Sequence, residues 1–284
     1  MKIKDVLKNG IEIIKNKEIE DVNLKARIIL ADILGKSKEY LMIHDDEELN
    51  DRLAKLYFEK MEKLNQGIPL QYITNHQEFM GYDFYVDENV LIPQPDTENL
   101  VEEVIQLTEK IDKERNEKKT VLDMCTGSGA IGISLSKILD KNYLIYASDV
   151  SKDALKVAED NSNRLMANVL FIESDLFKKI SNLYKFDIIV SNPPYIETKV
   201  IDGLSKEVKN EPMLALDGGK DGLDFYRKIS KQAYAYLNEG GFLAFEIGYD
   251  QRESVSQILE DNGYKNIYSR KDLSGNDRVV VGQK

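Results

Sequence analysis

Phe186-Asp187-Ile188-Ile189-Val190-Ser191-Asn192-Pro193-Pro194-Tyr195 is an apolar run that stops at an asparagine, two prolines and a tyrosine. Its first half reads as a short, fully buried strand. The second half cannot extend that strand, because neither proline has an N–H for a ladder and each pushes its predecessor into an extended conformation. A rigid elbow therefore sits at a strand's carboxyl end, where open α/β sheets place their ligands. The elbow offers the Asn192 carboxamide oxygen, backbone carbonyls that no local proline N–H can occupy, and the flat face of Tyr195. Together these can accept two N–H bonds from a planar amide or amino group and cover its face. A nitrogen held in this way points its lone pair toward whatever electrophile lies beyond.

Upstream, Val121-Leu122-Asp123-Met124-Cys125-Thr126-Gly127-Ser128-Gly129-Ala130-Ile131-Gly132 reads as a strand, a glycine turn and a helix start. It contains a Gly-x-Gly-x-x-Gly at 127, 129 and 132, and Asp149 closes the next apolar strand. Glycines let the backbone approach a ligand and the acid can take ribose hydroxyls, so the loop suits a dinucleotide as well as other adenosine cofactors. Asp123, four residues before the first glycine, and Asp175, at the end of a third strand in Glu173-Ser174-Asp175-Leu176, add two further acids at strand ends. Each of the three could equally cap a helix or lie in a solvated loop.

Around these motifs, strands are predicted at 120–124, 143–148, 169–173, 186–191 and 241–247. Helices are predicted near 130–139, 151–163, 222–237 and 250–261. The alternation implies a doubly wound α/β domain with a mainly parallel sheet. Tyr264 to Arg270 and Arg278 to Gly282 can add two strands. Residues 1–66 read as a small helical bundle, with Ile3, Val6, Leu7, Ile11 and Ile14 on one face, then Leu24, Ile28, Leu30, Ile33 and Leu34, then Leu53, Leu56, Tyr57 and Leu64. Residues 67–95, with Gly81 at the centre of two short alternating runs, read as a hairpin and linker. Residues 96–284 form the sheet domain, entered by a helix that starts near Asp96 or Thr97 and is closed by the charged stretch Lys110 to Lys119.

Composition narrows the chemistry. One cysteine, Cys125, excludes an internal disulfide or a multi-cysteine metal cluster, and with only two histidines a zinc enzyme or histidine triad is not expected. No metal site is assigned. A net charge of −11 argues against general affinity for a phosphate backbone. The charged amino terminus and the lack of a membrane-length apolar run lead us to expect a soluble, cytoplasmic protein.

Asn-Pro-Pro-Tyr after an apolar strand resembles the signature of methyltransferases that use S-adenosylmethionine (SAM) to methylate amide or exocyclic amino nitrogens. Asp-x-x-x-Gly-x-Gly at 123–129 resembles the first motif of those enzymes. Gly67-x-Pro69-x-Gln71-Tyr72-Ile73, Phe79-x-Gly81, Leu91-Ile92-Pro93-x-Pro95-x-Thr97-Glu98, Glu211-Pro212-x-x-Ala215-Leu216-x-Gly218-Gly219-x-Asp221-Gly222-Leu223, Glu246-Ile247-Gly248 and Asp272-Leu273-x-Gly275-x-Asp277-Arg278 resemble the release factor glutamine methyltransferase family, HemK or PrmC. All six prolines lie within the quoted segments.

The resemblance implies a Rossmann-like SAM methyltransferase domain preceded by a substrate-recognition bundle. It implies methyl transfer to the side-chain amide nitrogen of the glutamine in the Gly-Gly-Gln motif of peptide chain release factors. It makes Asn192, Pro193 and Tyr195 catalytic and Asn192, Pro193, Pro194 and Tyr195 substrate-binding. Asp123, Cys125, Thr126, Gly127, Ser128, Gly129, Asp149, Asp175, Leu176 and Asn192 would hold the cofactor. Three departures stand out: Cys125 where the family has its first glycine, Gln94 where it has an arginine, and Asn75 where glycine is common. The competing reading is a DNA or RNA exocyclic-amino methyltransferase, which would need base flipping and a basic path that this charge balance does not suggest. An NAD oxidoreductase would leave the proline elbow unexplained, and a scaffold that binds release factor without turnover would show no methyl transfer.

Overall fold

The computed structural model describes residues 1–114 and 117–284, without the side chains of 112–114. The charged run at 110–119 falls partly outside the described residues. The chain forms two compact units, Met1–His76 with Gly203–Asn210, and Gln77–Asp202 with Glu211–Lys284.

The first unit is built from α1 (Ile3–Ile13), α2 (Val22–Leu34), α3 (Lys38–Ile43), α4 (Asp51–Asn65) and α5 (Leu70–Thr74). Ser37 and Asn50 cap α3 and α4 by accepting from Tyr40 N and Leu53 N, and Gly35 ends α2 in the left-handed conformation. Ile3, Val6, Ala26, Ile29, Leu30, Tyr57, Met61 and Leu64 form its core. Leu24 and Leu56, expected on buried faces, are exposed, and Ala26, Ile29, Ala54 and Met61 take the inward positions. A 3.6-residue period cannot separate a flanking leucine from a buried one when alanine is also acceptable inside. Residues 70–74 are helical, so strand pairing begins only at Gln77.

The second unit opens with β1 (Gln77–Phe79) and β2 (Tyr82–Phe84), joined by Met80-Gly81 with φ of 52° and 76°. Two positive φ values in a two-residue loop are what a hairpin turn of the right twist demands. Glu98 accepts from Met80 N at 2.7 Å and ties that turn to α6 (Pro95–Glu114). Then follow β3 (Lys119–Met124), α7 (Ala130–Ile138), β4 (Tyr143–Asp149), α8 (Lys152–Leu165), β5 (Val169–Glu173) and β6 (Phe186–Ser191). Three short helices come next: α9 (Thr198–Ile201), α10 (Lys206–Lys209, in the first unit) and α11 (Met213–Leu216). The chain ends with α12 (Asp224–Tyr236), β7 (Leu237–Glu246), α13 (Arg252–Asp261), β8 (Lys265–Lys271) and β9 (Asp277–Gln283).

The seven-stranded sheet has the order β5-β4-β3-β6-β7-β9-β8, with β3 to β7 parallel and β9 antiparallel to both neighbours. Val121, Ile188, Val190, Ala244 and Val281 pack on one face, and Leu122, Ile189, Leu243, Phe245 and Val280 on the other. Burial on both faces is why these strands read as continuous apolar runs. The expected strand at 241–247 begins earlier, at Leu237, and bulges before Phe242, because Gly240 at φ 76° and Gly241 let the chain turn out of the ladder. Strand order reverses between β3 and β6. That switch point is where a doubly wound sheet opens a crevice.

Candidate active site

Met124 pairs with Ser191 across β3 and β6, so the glycine loop and the proline elbow leave the sheet side by side. The Ser191 hydroxyl donates to the Met124 carbonyl at 2.6 Å and locks the two strand ends together.

Asp123 points from β3 toward the start of α7 rather than into the crevice. Its Oδ2 accepts from the Thr126 hydroxyl at 2.5 Å and from Gly132 N at 2.9 Å. The helix begins at Gly129, which has no side chain to cap it, and Asp123 serves that purpose from a distance. A Cβ at Gly132 would stand 3.1 Å from the same carboxylate oxygen, a tight approach that glycine avoids. Oδ1 is buried without a hydrogen bond. Burial is the largest influence and pushes the carboxyl up to about 7, against the two hydrogen bonds that favour its charge. Thr126 and Ser128 are buried with it, and the Ser128 carbonyl accepts from Asn161 Nδ2 at 3.0 Å. Asn161 also exchanges two hydrogen bonds with the Tyr85 backbone, bracing the glycine loop against the hairpin exit.

Asp149 lies in the crevice. Its Oδ2 accepts from Gly127 N and its Oδ1 from Ser151 N, both at 2.9 Å. Burial raises its pKa while these backbone N–H groups oppose the rise. Cys125 has φ 63°, a left-handed conformation that costs a side chain about 1–2 kcal/mol and that glycine adopts freely. Burial pushes the thiol above its usual range, which favours its neutral form in the crevice wall. Asp175 is exposed at the rim and paired with Lys178 at 2.6 Å, while Leu176 follows at φ 49°.

At the elbow, Asn192 Nδ2 donates to the Thr97 hydroxyl at 3.2 Å. Thr97 and Asn192 both favour the charged form of Glu246, although burial dominates and raises that carboxyl to about 7. Burial and the neighbouring Glu246 charge keep the Tyr195 hydroxyl protonated well beyond its ordinary range. Behind the elbow the 211–223 segment runs very close. A Cβ on Gly218 would lie 2.7 Å from Tyr195 Cα, and Gln251 donates to the Tyr195 carbonyl at 3.0 Å. Glu211 accepts from Ile92 N at 3.0 Å and so joins that segment to the one before α6. Burial raises its carboxyl to about 7.

These ends enclose a cavity of about 300 Å³. Cys125, Gly127, Asp149, Asp175, Leu176, Asn192 and Pro194 line it, whereas Asp123, Thr126, Ser128, Gly129, Pro193 and Tyr195 do not. Val90, Leu91, Leu214 and Phe225 supply apolar surface that sequence reasoning did not assign. The quoted motifs containing Leu91 and Ala215 were the available signal. Asp149 suits a diol at one edge: each oxygen accepts one N–H, and a carboxylate offers about four acceptor positions. The apolar walls suit a planar base, so the cavity fits an adenosine cofactor such as SAM.

Two family models match parts of this chain. Residues 5–74 match the PrmC N-terminal domain and residues 105–210 the methyltransferase small domain. A release factor glutamine methyltransferase of Clostridium acetobutylicum is 42% identical over 99% of this chain and 98% of its own length. One from Clostridium botulinum is 39% identical over 100% of both. Among solved structures, a Pyrococcus furiosus methyltransferase superposes with TM-score 0.51 at 21% identity over 72% of this chain and 90% of its own. The human Mettl16 catalytic domain, bound to an RNA hairpin, reaches 0.56 at 14% identity over 78% and 81%. At these identities the two structures speak for the fold alone.

Proposed function

The chain belongs to the release factor glutamine methyltransferase family, and from that premise we propose that the crevice between β3 and β6 transfers methyl from SAM to the amide nitrogen of the glutamine in a release factor's Gly-Gly-Gln motif. The enzyme is a SAM-dependent protein methyltransferase. The observation that carries the substrate reading is the Asn192 amide at the cavity wall, whose nitrogen is engaged by Thr97 and whose oxygen is thereby turned to accept.

SAM supplies an electrophilic methyl on a sulfonium sulfur. Asp149 would hold its ribose, Leu176 and Phe225 its base, and the turn at 125–129 its amino-acid end. Asn192 Oδ1 and the Pro193 carbonyl would accept the two N–H bonds of the glutamine amide, with Tyr195 buttressing its plane. An amide nitrogen is a poor nucleophile because its lone pair is delocalised. The protein's contribution is therefore orientation and preorganised acceptors that favour the reacting geometry. No strong base is required, since the methylated nitrogen loses its proton readily to water.

The helical unit at residues 1–66 recognises the protein substrate, as it carries neither glycine loop nor strand-end acid. A net charge of −11 disfavours stable nucleic-acid binding. No helix among the described residues is long and apolar enough to cross a membrane, and the cytoplasm, where release factors act, is the expected location. Incubation with methyl-labelled SAM and purified release factor, followed by peptide mass spectrometry, tests the proposal. One methyl on the Gly-Gly-Gln glutamine is expected, and methyl on nucleic acid in its place would overturn it.

A further inference from the structure

We propose that Thr97 and Glu246 are positioning residues for methyl transfer, which hold the Asn192 amide in the one orientation that presents its oxygen to the acceptor glutamine. The inference rests on the glutamine-amide reading above. Thr97 sits in the first turn of α6 and Glu246 ends β7; they are 4% and 2% exposed, and neither lines the cavity. Phe245 pairs with Ser191 in the parallel ladder, so Glu246 follows at the position beside Asn192.

In its charged form Glu246 has only acceptors to offer, so the groups that face it then donate. Asn192 Nδ2 donates to Thr97 Oγ1 at 3.2 Å, and both side chains favour the charged form of the neighbouring Glu246 carboxyl. Thr97 can accept from Asn192 and at the same time donate its own proton to Glu246. Donation chained in this direction fixes Nδ2 inward and Oδ1 outward. The two ends of a carboxamide are nearly equal in size, so sterics alone would not choose between them. An amide turned the other way would set its own N–H₂ against the substrate's N–H₂, donor against donor, and could not hold it.

Glu246 itself is secured. The Tyr226 hydroxyl donates to its backbone carbonyl at 3.0 Å, while Arg278 and Asp96 contribute opposing charges nearby. Glu246 Oε2 is buried without a hydrogen bond, and the Tyr195 hydroxyl also faces this carboxyl. Its placement makes sense as an acceptor for the donors gathered at the elbow, Thr97 and Asn192 among them.

The test compares Thr97→Val, which keeps the shape and loses the hydroxyl, with Thr97→Ser, which keeps the hydroxyl. Steady-state transfer to intact release factor, SAM affinity by calorimetry and the melting temperature are measured for each. Thr97→Val should lower kcat by about 10- to 100-fold with little change in the KM for release factor, as expected for a misoriented reacting group. SAM affinity should stay within about twofold, and Thr97→Ser should restore most of kcat. Glu246→Gln should lower kcat alike, and the double variant should be no worse than either single one, because both act through Asn192. Transfer by Thr97→Val close to that of the wild type would overturn the inference. So would an equal loss in Thr97→Ser with melting and SAM binding intact. A wild type that leaves glutamine unmethylated would instead overturn the function itself, and the inference with it.

Discussion

Asp123→Asn should make this protein more stable at alkaline pH, by an amount that grows with pH. Asp123 is fully buried, and both its hydrogen bonds, from Thr126 and Gly132, go to Oδ2, while Oδ1 has none. An asparagine with its oxygen in the Oδ2 position keeps both bonds and replaces the unpartnered oxygen by an amino group. The carboxyl rises from 3.8 to about 7 on folding, chiefly by burial. The folded state therefore binds the proton more tightly, so this group's stability is complete below pH 3.8 and is lost as pH rises through about 7. At 1.36 kcal/mol per pKa unit, the rise from 3.8 to about 7 corresponds to a loss of about 4 kcal/mol by pH 8. Asparagine escapes that loss but buries an unpaired N–H₂ at about 1–3 kcal/mol. The variant should thus be more stable by about 1–3 kcal/mol at pH 8 and equal or less stable at pH 5. Urea unfolding at both pH values measures the difference, and the other raised carboxyls, Asp149, Glu211 and Glu246, are present in both proteins. A stability difference that does not change from pH 5 to pH 8 would refute the assignment of a strained, charged Asp123. If that charge also serves the cofactor across the loop, the same variant should bind SAM more weakly as it gains stability.

Asp149→Ala should weaken SAM binding measurably, because ribose loses a charged acceptor and Gly127 N loses its partner; unchanged affinity by calorimetry in a folded variant would reject that placement. Asn192→Ala should slow transfer by about 10²- to 10³-fold, or roughly 2.7–4 kcal/mol, with a much smaller effect on SAM. Gly218→Ala should depress transfer more than SAM binding, since its Cβ would meet Tyr195 Cα at 2.7 Å and shift the elbow. Gln94→Arg should leave transfer within severalfold of the wild type, as the Gln94 side chain is exposed and donates to the Ile92 carbonyl two residues away. A large change in rate would show that the arginine reaches the site.

The α/β architecture, its five central strands and the pairing of glycine loop with proline elbow were legible in the residue order. Each depends on short-range rules: apolar runs bounded by breakers, glycine at positive φ, and proline's missing N–H. Asp149 was legible for the same reason, because a strand-end acid after such a loop has few other places to go. Asp123 was legible as an acid at a strand end but not as to direction. Val121 and Asp123 share a face of β3, and only the packing of α7 on that face turned the carboxylate away from the crevice. Leu24 and Leu56 were misread because the bundle chose Ala26 and Ala54 for its interior. The return of Gly203–Asn210 to the helical unit had no local sign: it is held by Lys25 to Glu207 at 2.9 Å and by Asn210 to the Gly67 carbonyl. Thr97 and Asn192, 95 residues apart, and Glu246 further still, were visible only as members of separate motifs. A hydrogen bond between distant residues leaves no periodicity in the chain. It exists only once α6, β6 and β7 have packed, and that packing decides which atom of Asn192 faces the chemistry.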